Sequence, residues 1–190
     1  MSVAAPTRKV AGRELPAPGK WTIDPAHTDT EFVARHLMVT RVRGGFEQVA
    51  GTIDIAERPE DSAVVVTIDA ASIFTGTKDR DAHLRSPDFL DVDTYPEITF
   101  RSTAVAAADD GWRLTGDLTI KDVTRPLTLD LEFLGVSLDP WGNPKAAFTA
   151  SGEIDREDYG LTWNVALEGG GVLVSRKVKI EIQAQAAPVS

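Results

Sequence analysis

The chain has 190 residues, of which 42% are hydrophobic and 26% charged, and it carries a formal net charge of −9. This length and composition are typical of a single soluble globular domain with its own hydrophobic core. The net negative charge repels nucleic-acid phosphates and anionic lipid surfaces, so we expect no nucleic-acid partner. The lack of cysteine excludes disulfides and thiol catalysis.

The first 19 residues are rich in alanine, proline, glycine and charged residues and show no hydrophobic periodicity, which predicts a flexible N-terminal arm. They contain no apolar run like that of a secretory signal, and no stretch of the chain approaches the roughly 18 apolar residues that a membrane span needs. We therefore expect a cytoplasmic protein without stable insertion into a membrane. Its single domain is expected at residues 20–186, followed by a short tail at 187–190.

Short segments with hydrophobic residues at every second position follow from Trp21 onward, separated by glycine, proline, aspartate and asparagine. Each such segment predicts a β-strand with one apolar face. Three of these faces are formed by Thr28, Thr30, Phe32 and Ala34; by Val64, Val66 and Ile68; and by Val172, Val174, Val178, Ile180 and Ile182. The C-terminal half has the spacing of strands and turns that is typical of an antiparallel meander.

One helical candidate interrupts the strands at about residues 77–93. Ser86, Pro87 and Asp88 are typical of a helix start, because serine caps backbone N–H groups, proline suits the first turn and aspartate favours the positive end. Tyr95 and Pro96 limit such a helix to two turns. We therefore expect a short helix that begins at Ser86.

About eight strands with one apolar face predict an all-β fold. Eight antiparallel strands can close into a barrel that has no exposed edge and whose interior holds one small ligand. A two-sheet sandwich fits the same periodicity. We favour the barrel, because a helical insertion rich in aromatic residues is suited to serve as a lid over its opening.

Four segments carry a pattern that is more specific than strand periodicity. In order they are WTIDPAHTDTEFVARHLMVTRVRGGFEQVAGTI, SIFTGTKDRDAHLRSPDFLDVDTYPEITF, GDLTIKDVTRPLTLDLEF and REDYGL, and they extend over roughly residues 21–184. Together they resemble the YceI-like family of polyisoprenoid-binding, lipocalin-like proteins. The resemblance implies an extended eight-stranded antiparallel β-barrel that encloses a long isoprenoid chain, such as a polyprenyl or a prenylquinone. It also implies a homodimer and no cofactor chemistry.

The charged residues around His83 allow more than one interpretation. A carboxylate beside an imidazole orients the ring and raises its basicity, so His83 with Asp79, Asp81 and Arg80 could form an acid–base set. No nucleophile elbow, metalloprotease motif or phosphate loop accompanies them. We therefore favour a network of Arg80, Asp81 and His83 that pins the lid, with direct polar contact to a ligand as the other alternative.

Two further histidines lie on or beside the opening strand. His36 could donate a hydrogen bond to a quinone carbonyl inside a pocket, or lie in the core or on the surface as an ordinary polar side chain. His27, Asp29 and Glu31 alternate along one strand, but their Cα atoms would be about 6.5–7 Å apart, which is awkward for three ligands of one ion. We therefore predict no metal site.

Apolar and aromatic side chains are spread over most of the predicted strands, as the inward positions of a barrel would be. The predicted ligand-binding residues are Phe32, His36, Phe46, Val66, Ile68, Phe74, Phe89, Phe100, Leu118, Leu129, Leu131 and Phe148. Tyr159 and Trp163 are expected at the mouth or as closing residues of the barrel. By sequence alone, a cavity lining and an ordinary packed core have the same pattern.

The sequence thus predicts a soluble, non-enzymatic protein that holds a long-chain isoprenoid lipid for transport, storage or sequestration. One alternative is an enzyme that acts on a hydrophobic substrate through His36 or His83, which requires an imidazole inside the cavity. The other is an interaction module whose barrel is filled by its own side chains.

Overall fold

The computed structural model describes residues 6–189, and its described part contains thirteen β-strands and one α-helix. The strands are β1 (Thr7–Val10), β2 (Arg13–Pro16), β3 (Gly19–Ile23), β4 (Asp29–His36), β5 (Thr40–Phe46), β6 (Val49–Ile55), β7 (Ala63–Asp69), β8 (Ile73–Phe74), β9 (Glu97–Ala108), β10 (Gly111–Ile120), β11 (Val123–Leu138), β12 (Pro144–Asp155) and β13 (Lys177–Pro188). The α-helix, α1, is Lys78–Arg85, and short 3-10 turns lie at Pro25–His27, Pro59–Asp61, Ala70–Ser72 and Arg156–Tyr159.

Eight strands close into an antiparallel β-barrel, which confirms the predicted fold class. Around the ring they follow the order β3, β6, β7, β9, β10, β11, β12 and β13, and β13 returns to β3 through the pairing of Ala186 with Ile23. This last pairing distinguishes a barrel from the sandwich that the periodicity also allowed. In this closed ring, each of the eight strands pairs with a neighbour on both of its sides, so the ring has no edge strand.

Two strands of the ring are continued beyond it by further strands of the wall. β4 continues from β3 and pairs with β13 and β5, and β8 continues from β7 and pairs with β5. Short 3-10 turns separate these pieces, and each has an aspartate cap: Asp24 accepts a hydrogen bond from the Ala26 N–H, and Asp69 accepts one from the Ala71 N–H. The strands therefore bend without leaving the wall, and the barrel is extended along its axis.

The N-terminal segment differs from the expected arm without regular structure. β1 and β2 form a hairpin in which Thr7 pairs with Pro16, and Leu15 and Pro16 are buried. Two four-residue strands are too short to show a hydrophobic period, which is why the sequence analysis missed them. Residues 1–5 of the predicted arm lie outside the described residues, and the mobility of the hairpin stays a prediction.

The C-terminal tail also begins later than predicted. β13 continues to Pro188, so two of the four residues predicted as a tail at 187–190 belong to the last strand. The Val189 N–H donates a hydrogen bond to the Lys20 carbonyl, 2.8 Å away. Ser190 lies outside the described residues.

The helix falls within the predicted insertion at 77–93, but the predicted start at Ser86 is wrong. α1 ends there: Ser86 is the C-terminal cap, and both its N–H and its hydroxyl donate to the His83 carbonyl. A residue that precedes proline is biased toward extended backbone, and Ser86 has φ −71° and ψ 168°. Asp79 and Asp81 occupy the first turn, where acidic residues favour the helix dipole. In the described range, no helix is long and apolar enough to cross a membrane.

An apolar cavity with two closures as the candidate site

The barrel encloses an apolar cavity of about 330 Å³. This volume lies within the range of roughly 300–1,000 Å³ that is typical of small-molecule sites. The lining consists almost entirely of aliphatic and aromatic side chains that alternate inward from the strands. Within residues 6–189, the ionisable side chains of the lining are Arg8, Glu31 and Arg156.

Ten of the twelve predicted ligand-binding residues line this cavity. They are Phe32, Phe46, Val66, Ile68, Phe89, Phe100, Leu118, Leu129, Leu131 and Phe148. The structure therefore brings together side chains from seven strands and from the segment after α1. That they bind a ligand stays a prediction.

His36 and Phe74 do not line the cavity, and their predicted inward position is wrong. His36 is the last residue of β4, and the chain turns at once through Leu37 and Met38. The alternation of inward and outward side chains along β4 therefore ends at His36. Phe74 is 52% exposed, because its neighbour Ile73 occupies the inward position and successive side chains of a strand alternate. His83 does not line the cavity either, so the acid–base alternative gains no support from the geometry.

Two phenylalanines of the lining pack against glycines of a neighbouring strand. Phe32 on β4 is paired with Gly44 on β5, and a Cβ at Gly44 would clash with the Phe32 ring and lie 2.8 Å from Thr75 Cγ2. A Cβ at Gly116 would likewise clash with the Phe100 ring. The glycines therefore create the space in which these two rings lie, and they shape the cavity wall.

One end of the barrel, here called the lid end, is covered by α1 and the residues that follow it. Leu84, Phe89 and Leu90 line the cavity from this side. The buried Asp81 carboxylate accepts hydrogen bonds from the Thr75 N–H at 2.9 Å and from the Thr75 hydroxyl at 2.5 Å.

Two arginines complete this attachment. Arg80 donates to the Thr75 hydroxyl and carbonyl at 2.7 and 2.8 Å. Arg85, which the sequence analysis missed, donates to the carbonyls of Ala71 and Ile73 at 2.7 and 2.8 Å. Backbone carbonyls accept three of these four bonds, and every residue has such a carbonyl. The sequence therefore does not indicate which residues the arginines contact.

The predicted lid residue His83 belongs to an aromatic cluster with Phe89 and Trp163. Its ring is perpendicular to Trp163 at a centroid distance of 4.6 Å, and Phe89 lies 5.1 Å from His83 and 5.3 Å from Trp163. His83 Nε2 lies 2.8 Å from a carboxylate oxygen of Asp88. The cluster joins the lid to the loop at residues 161–176.

The Arg156 side chain attaches the loop at residues 161–176 through hydrogen bonds. It is 3% exposed and donates hydrogen bonds to the carbonyls of Leu161, Trp163, Val174 and Ser175, at 2.5, 3.0, 3.3 and 2.9 Å. Burial lowers the pKa of the Arg156 guanidinium from its ordinary value. The motif REDYGL contains this residue, but nothing in the sequence indicates that its acceptors are carbonyls up to nineteen residues away.

The opposite end, here called the hairpin end, is closed by β1 and β2. Arg8, Leu15 and Pro16 line the cavity there. Arg8 donates to the carbonyls of Ala56 and Glu57, and Arg13 donates to the carbonyls of Ala108 and Gly111. No backbone-to-backbone hydrogen bond joins the hairpin to the barrel within the described chain, so side chains alone attach it.

The potential metal ligands at His27, Asp29 and Glu31 do not converge. His27 lies in the 3-10 turn with its Nδ1 3.2 Å from an Asp24 carboxylate oxygen, whereas Asp29 and Glu31 lie on β4. Glu31 shares Arg43 with Glu181, at 2.6 and 2.7 Å. Between residues 6 and 189, no three His, Asp or Glu side chains lie close enough together to hold an ion.

Comparison with known proteins gives the same fold. Residues 21–186 match the family model described as YceI-like domain, a span that leaves out the hairpin of β1 and β2. The UPF0312 protein SAS2572 of Staphylococcus aureus strain MSSA476 is 41% identical over 170 residues, which cover 87% of this chain and 95% of that protein.

Solved structures with the same architecture come from three other bacteria. The Campylobacter jejuni YCEI protein is 29% identical with a TM-score of 0.70, covering 82% of this chain and 90% of that one. Burkholderia cenocepacia BcnA is 22% identical with a TM-score of 0.73, covering 86% and 98%. A polyisoprenoid binding domain from Saccharophagus degradans is 16% identical with a TM-score of 0.64, covering 90% and 99%. The chain belongs to the YceI-like family.

Proposed function

We propose that this protein binds a long-chain isoprenoid lipid, such as a polyprenyl or a prenylquinone, inside its barrel for transport, storage or sequestration, without catalysis. The observation that carries the proposal is an apolar cavity of about 330 Å³ enclosed by the barrel of a YceI-like protein. A structural neighbour with the same architecture is named as a polyisoprenoid binding domain, which supports this ligand class.

The energetics of burial are sufficient for such a complex. At about 25 cal/mol per Å² of apolar surface, a chain that buries roughly 400 Å² gains on the order of 10 kcal/mol before ordering costs. No charged anchor is therefore needed for retention. Selectivity would follow from the length and branching of the chain, because methyl branches pack well against aliphatic and aromatic walls.

The ends of the cavity differ from its middle. Arg8 lies at the hairpin end and Arg156 at the lid end, whereas aliphatic and aromatic side chains line most of the space between them. A lipid with its tail along the barrel axis would leave the polar head group at an end. The proposal therefore includes a weak preference for the head group beside the dominant preference for the tail.

The proposal is tested by mass spectrometry of an organic extract of the purified protein, together with native mass spectrometry of the intact sample. We expect one prenyl lipid for each chain. Native mass spectrometry of the same sample also determines the oligomeric state, for which the homodimer stays a prediction. A protein that is purified empty and also refuses an added prenylquinone in titration would contradict the proposal.

A pair of alanine variants makes this test specific for the cavity. Ala34 lines the cavity, and Ala106 is exposed on β9 beside the inward Val105. Ala34→Phe should fill part of the cavity and lower the lipid occupancy severalfold, whereas Ala106→Phe should leave it unchanged. Equal occupancy in both variants would place the lipid outside the barrel, and thermal unfolding of both verifies that they fold.

A further inference from the structure

The turn between β4 and β5 presents three consecutive apolar side chains to solvent at the rim of the lid end. Leu37, Met38 and Val39 are 46%, 50% and 76% exposed. The neighbouring loop adds the exposed Val165, since the Leu37 N–H donates to the Leu173 carbonyl and the Leu173 N–H donates to the Val165 carbonyl. None of these four apolar side chains is buried in the core of the protein.

The backbone of this turn is unusual for the residues that it contains. Leu37 has φ 52° and Met38 has φ 62°, and the Val39 N–H donates to the His36 carbonyl at 3.1 Å. Two left-handed central residues are typical of a hairpin turn that Asn-Gly or Asp-Gly adopts easily. Leucine and methionine are strained in this conformation, and such strain is found at functional sites. Stability of the hairpin alone therefore does not explain these residues.

Two arginines flank the apolar turn. Arg35 and Arg41 lie directly opposite each other across β4 and β5, and both are exposed. Like charges at directly opposed positions are unfavourable. In the part of the chain that the structure describes, neither forms an ion pair, whereas the next arginine, Arg43, is shared by Glu31 and Glu181. The turn is thus apolar at its end and positively charged at its base.

We propose that this rim tip, consisting of Arg35, Leu37, Met38, Val39 and Arg41, docks on the surface of a membrane that contains anionic phospholipids. Apolar side chains at such a surface enter the boundary between head groups and acyl chains, and basic side chains beside them contact the lipid phosphates. Docking would bring the lid end, where the cavity is covered by α1, against the bilayer. The inference goes beyond the proposed function, because it concerns a surface whose side chains do not line the cavity.

A second copy of the chain fits this surface less well. In a two-fold interface the same patch meets itself, so the arginines of one copy would approach those of the other. The five side chains of the rim tip are also a small contact compared with the roughly 800 Å² for each partner in a stable interface. The formal net charge of −9 repels the rest of the molecule from an anionic surface, so docking should be confined to the tip and weakened by salt.

The test is flotation of the lipid-extracted protein with vesicles of phosphatidylcholine, with and without phosphatidylglycerol. We expect binding to the anionic vesicles that falls as salt is added, and little binding to phosphatidylcholine alone. Replacing Arg35→Gln and Arg41→Gln together should weaken binding to the anionic vesicles about 20-fold.

A turn variant separates docking from folding. Leu37→Asn with Met38→Gly removes two apolar side chains and should weaken vesicle binding about tenfold or more. The same change should raise the melting temperature, because Asn-Gly suits the turn. Trp141→Ser is the matched control, since Trp141 is 84% exposed in the turn between β11 and β12 at the hairpin end, and it should leave binding unchanged.

Three outcomes would overturn the inference. The wild-type protein could fail to float with anionic vesicles at low salt, or the turn variant could bind as well as the wild type and Trp141→Ser. The turn variant could also convert a dimer into a monomer without any vesicle binding by the wild type, which would make the tip a contact between copies. Because the protein is lipid-extracted, these results are independent of the lipid analysis that tests the proposed function.

Discussion

The two ends of the barrel are closed in different ways. At the lid end, the buried side chains of Asp81 and Arg156 attach α1 and the loop at 161–176 through hydrogen bonds, most of them to backbone atoms. At the hairpin end, β1 and β2 pair only with each other and reach the barrel through Arg8 and Arg13 and through two buried residues. The lid end is therefore part of the barrel domain, whereas the hairpin is attached to it.

This difference has an energetic basis. A two-stranded hairpin is marginally stable alone, so its order depends on its contacts with the barrel. The Nε of Arg8 is buried and has no hydrogen-bond partner in the described part of the chain, which costs about 1–3 kcal/mol. The hairpin also lies outside the span that matches the family model. We infer that the hairpin end is the weaker closure and that it limits the length of the cavity.

The largest effect on the free energy of unfolding is expected when the arginine that attaches each closure, Arg156 or Arg8, is replaced by methionine. Arg156→Met leaves the carbonyls of Leu161, Trp163 and Ser175 without this donor, and it should lower the free energy of unfolding by about 3 kcal/mol or more. Arg8→Met removes an unsatisfied Nε together with the bonds of that side chain, so the loss should stay below about 1 kcal/mol. Urea denaturation measures both values. Equal losses would contradict the difference between the two closures.

A smaller loss is expected when the lid is detached from β8. Asp81→Ala leaves the Thr75 N–H and hydroxyl without their acceptor and should lower the free energy of unfolding by about 2 kcal/mol. Asp79→Ala is the matched control, because Asp79 is exposed in the first turn of α1, where its interaction with the helix dipole contributes about 0.5 kcal/mol. Thermal unfolding of the three proteins compares them, and an undisturbed Asp81→Ala variant would show that this network does not hold the lid.

Removal of the hairpin should affect the cavity more than the fold. A chain that lacks residues 1–17 should still unfold cooperatively, with a loss of about 1–2 kcal/mol, because the burial of Leu15 is largely offset by the entropy of ordering the hairpin. If the hairpin limits the cavity, the longest prenyl lipid that the protein retains should become longer, as measured by mass spectrometry of the extract. Loss of cooperative unfolding would instead make the hairpin an integral part of the barrel.

The smallest effect concerns a contact in the barrel wall between the two ends. The hydrogen bond from Lys145, 2.8 Å away, holds the pKa of Asp24 below its ordinary value. A carboxyl group whose pKa is lower in the folded protein stabilises the fold above its unfolded pKa, and this contribution is lost as the pH falls through the lowered value.

Lys145→Gln should therefore reduce stability by about 0.5–1 kcal/mol at neutral pH. The difference from the wild type should shrink as the pH falls below the ordinary pKa of an aspartate and through the lowered pKa of Asp24. Urea denaturation across this pH range provides the measurement, with Lys179→Gln, an exposed lysine on β13, as the control. A difference that is independent of pH would show that Asp24 is not the group responsible.

Much of the cavity wall could be predicted from the sequence, because side chains alternate with a strict period of two along a strand. Val64, Val66 and Ile68 were assigned to one face, and all three line the cavity. The same reasoning failed at His36 and Phe74. His36 is the last residue of β4, and Phe74 lies on a strand of only two residues. The alternation of inward and outward side chains does not extend beyond the end of a strand.

The sequence by itself determined the all-β class, the inward face of most strands and the position of the helical insertion, because these depend on neighbours along the chain. Only the tertiary structure decided that β13 pairs with β3, that Arg156 finds its acceptors in the loop at 161–176 and that a short hairpin closes one end. The strand pairing and the hairpin contacts join residues that are remote in sequence, and all three contacts use backbone atoms or buried area. Such atoms are the same in every residue, so their partners leave no pattern in the order of the side chains.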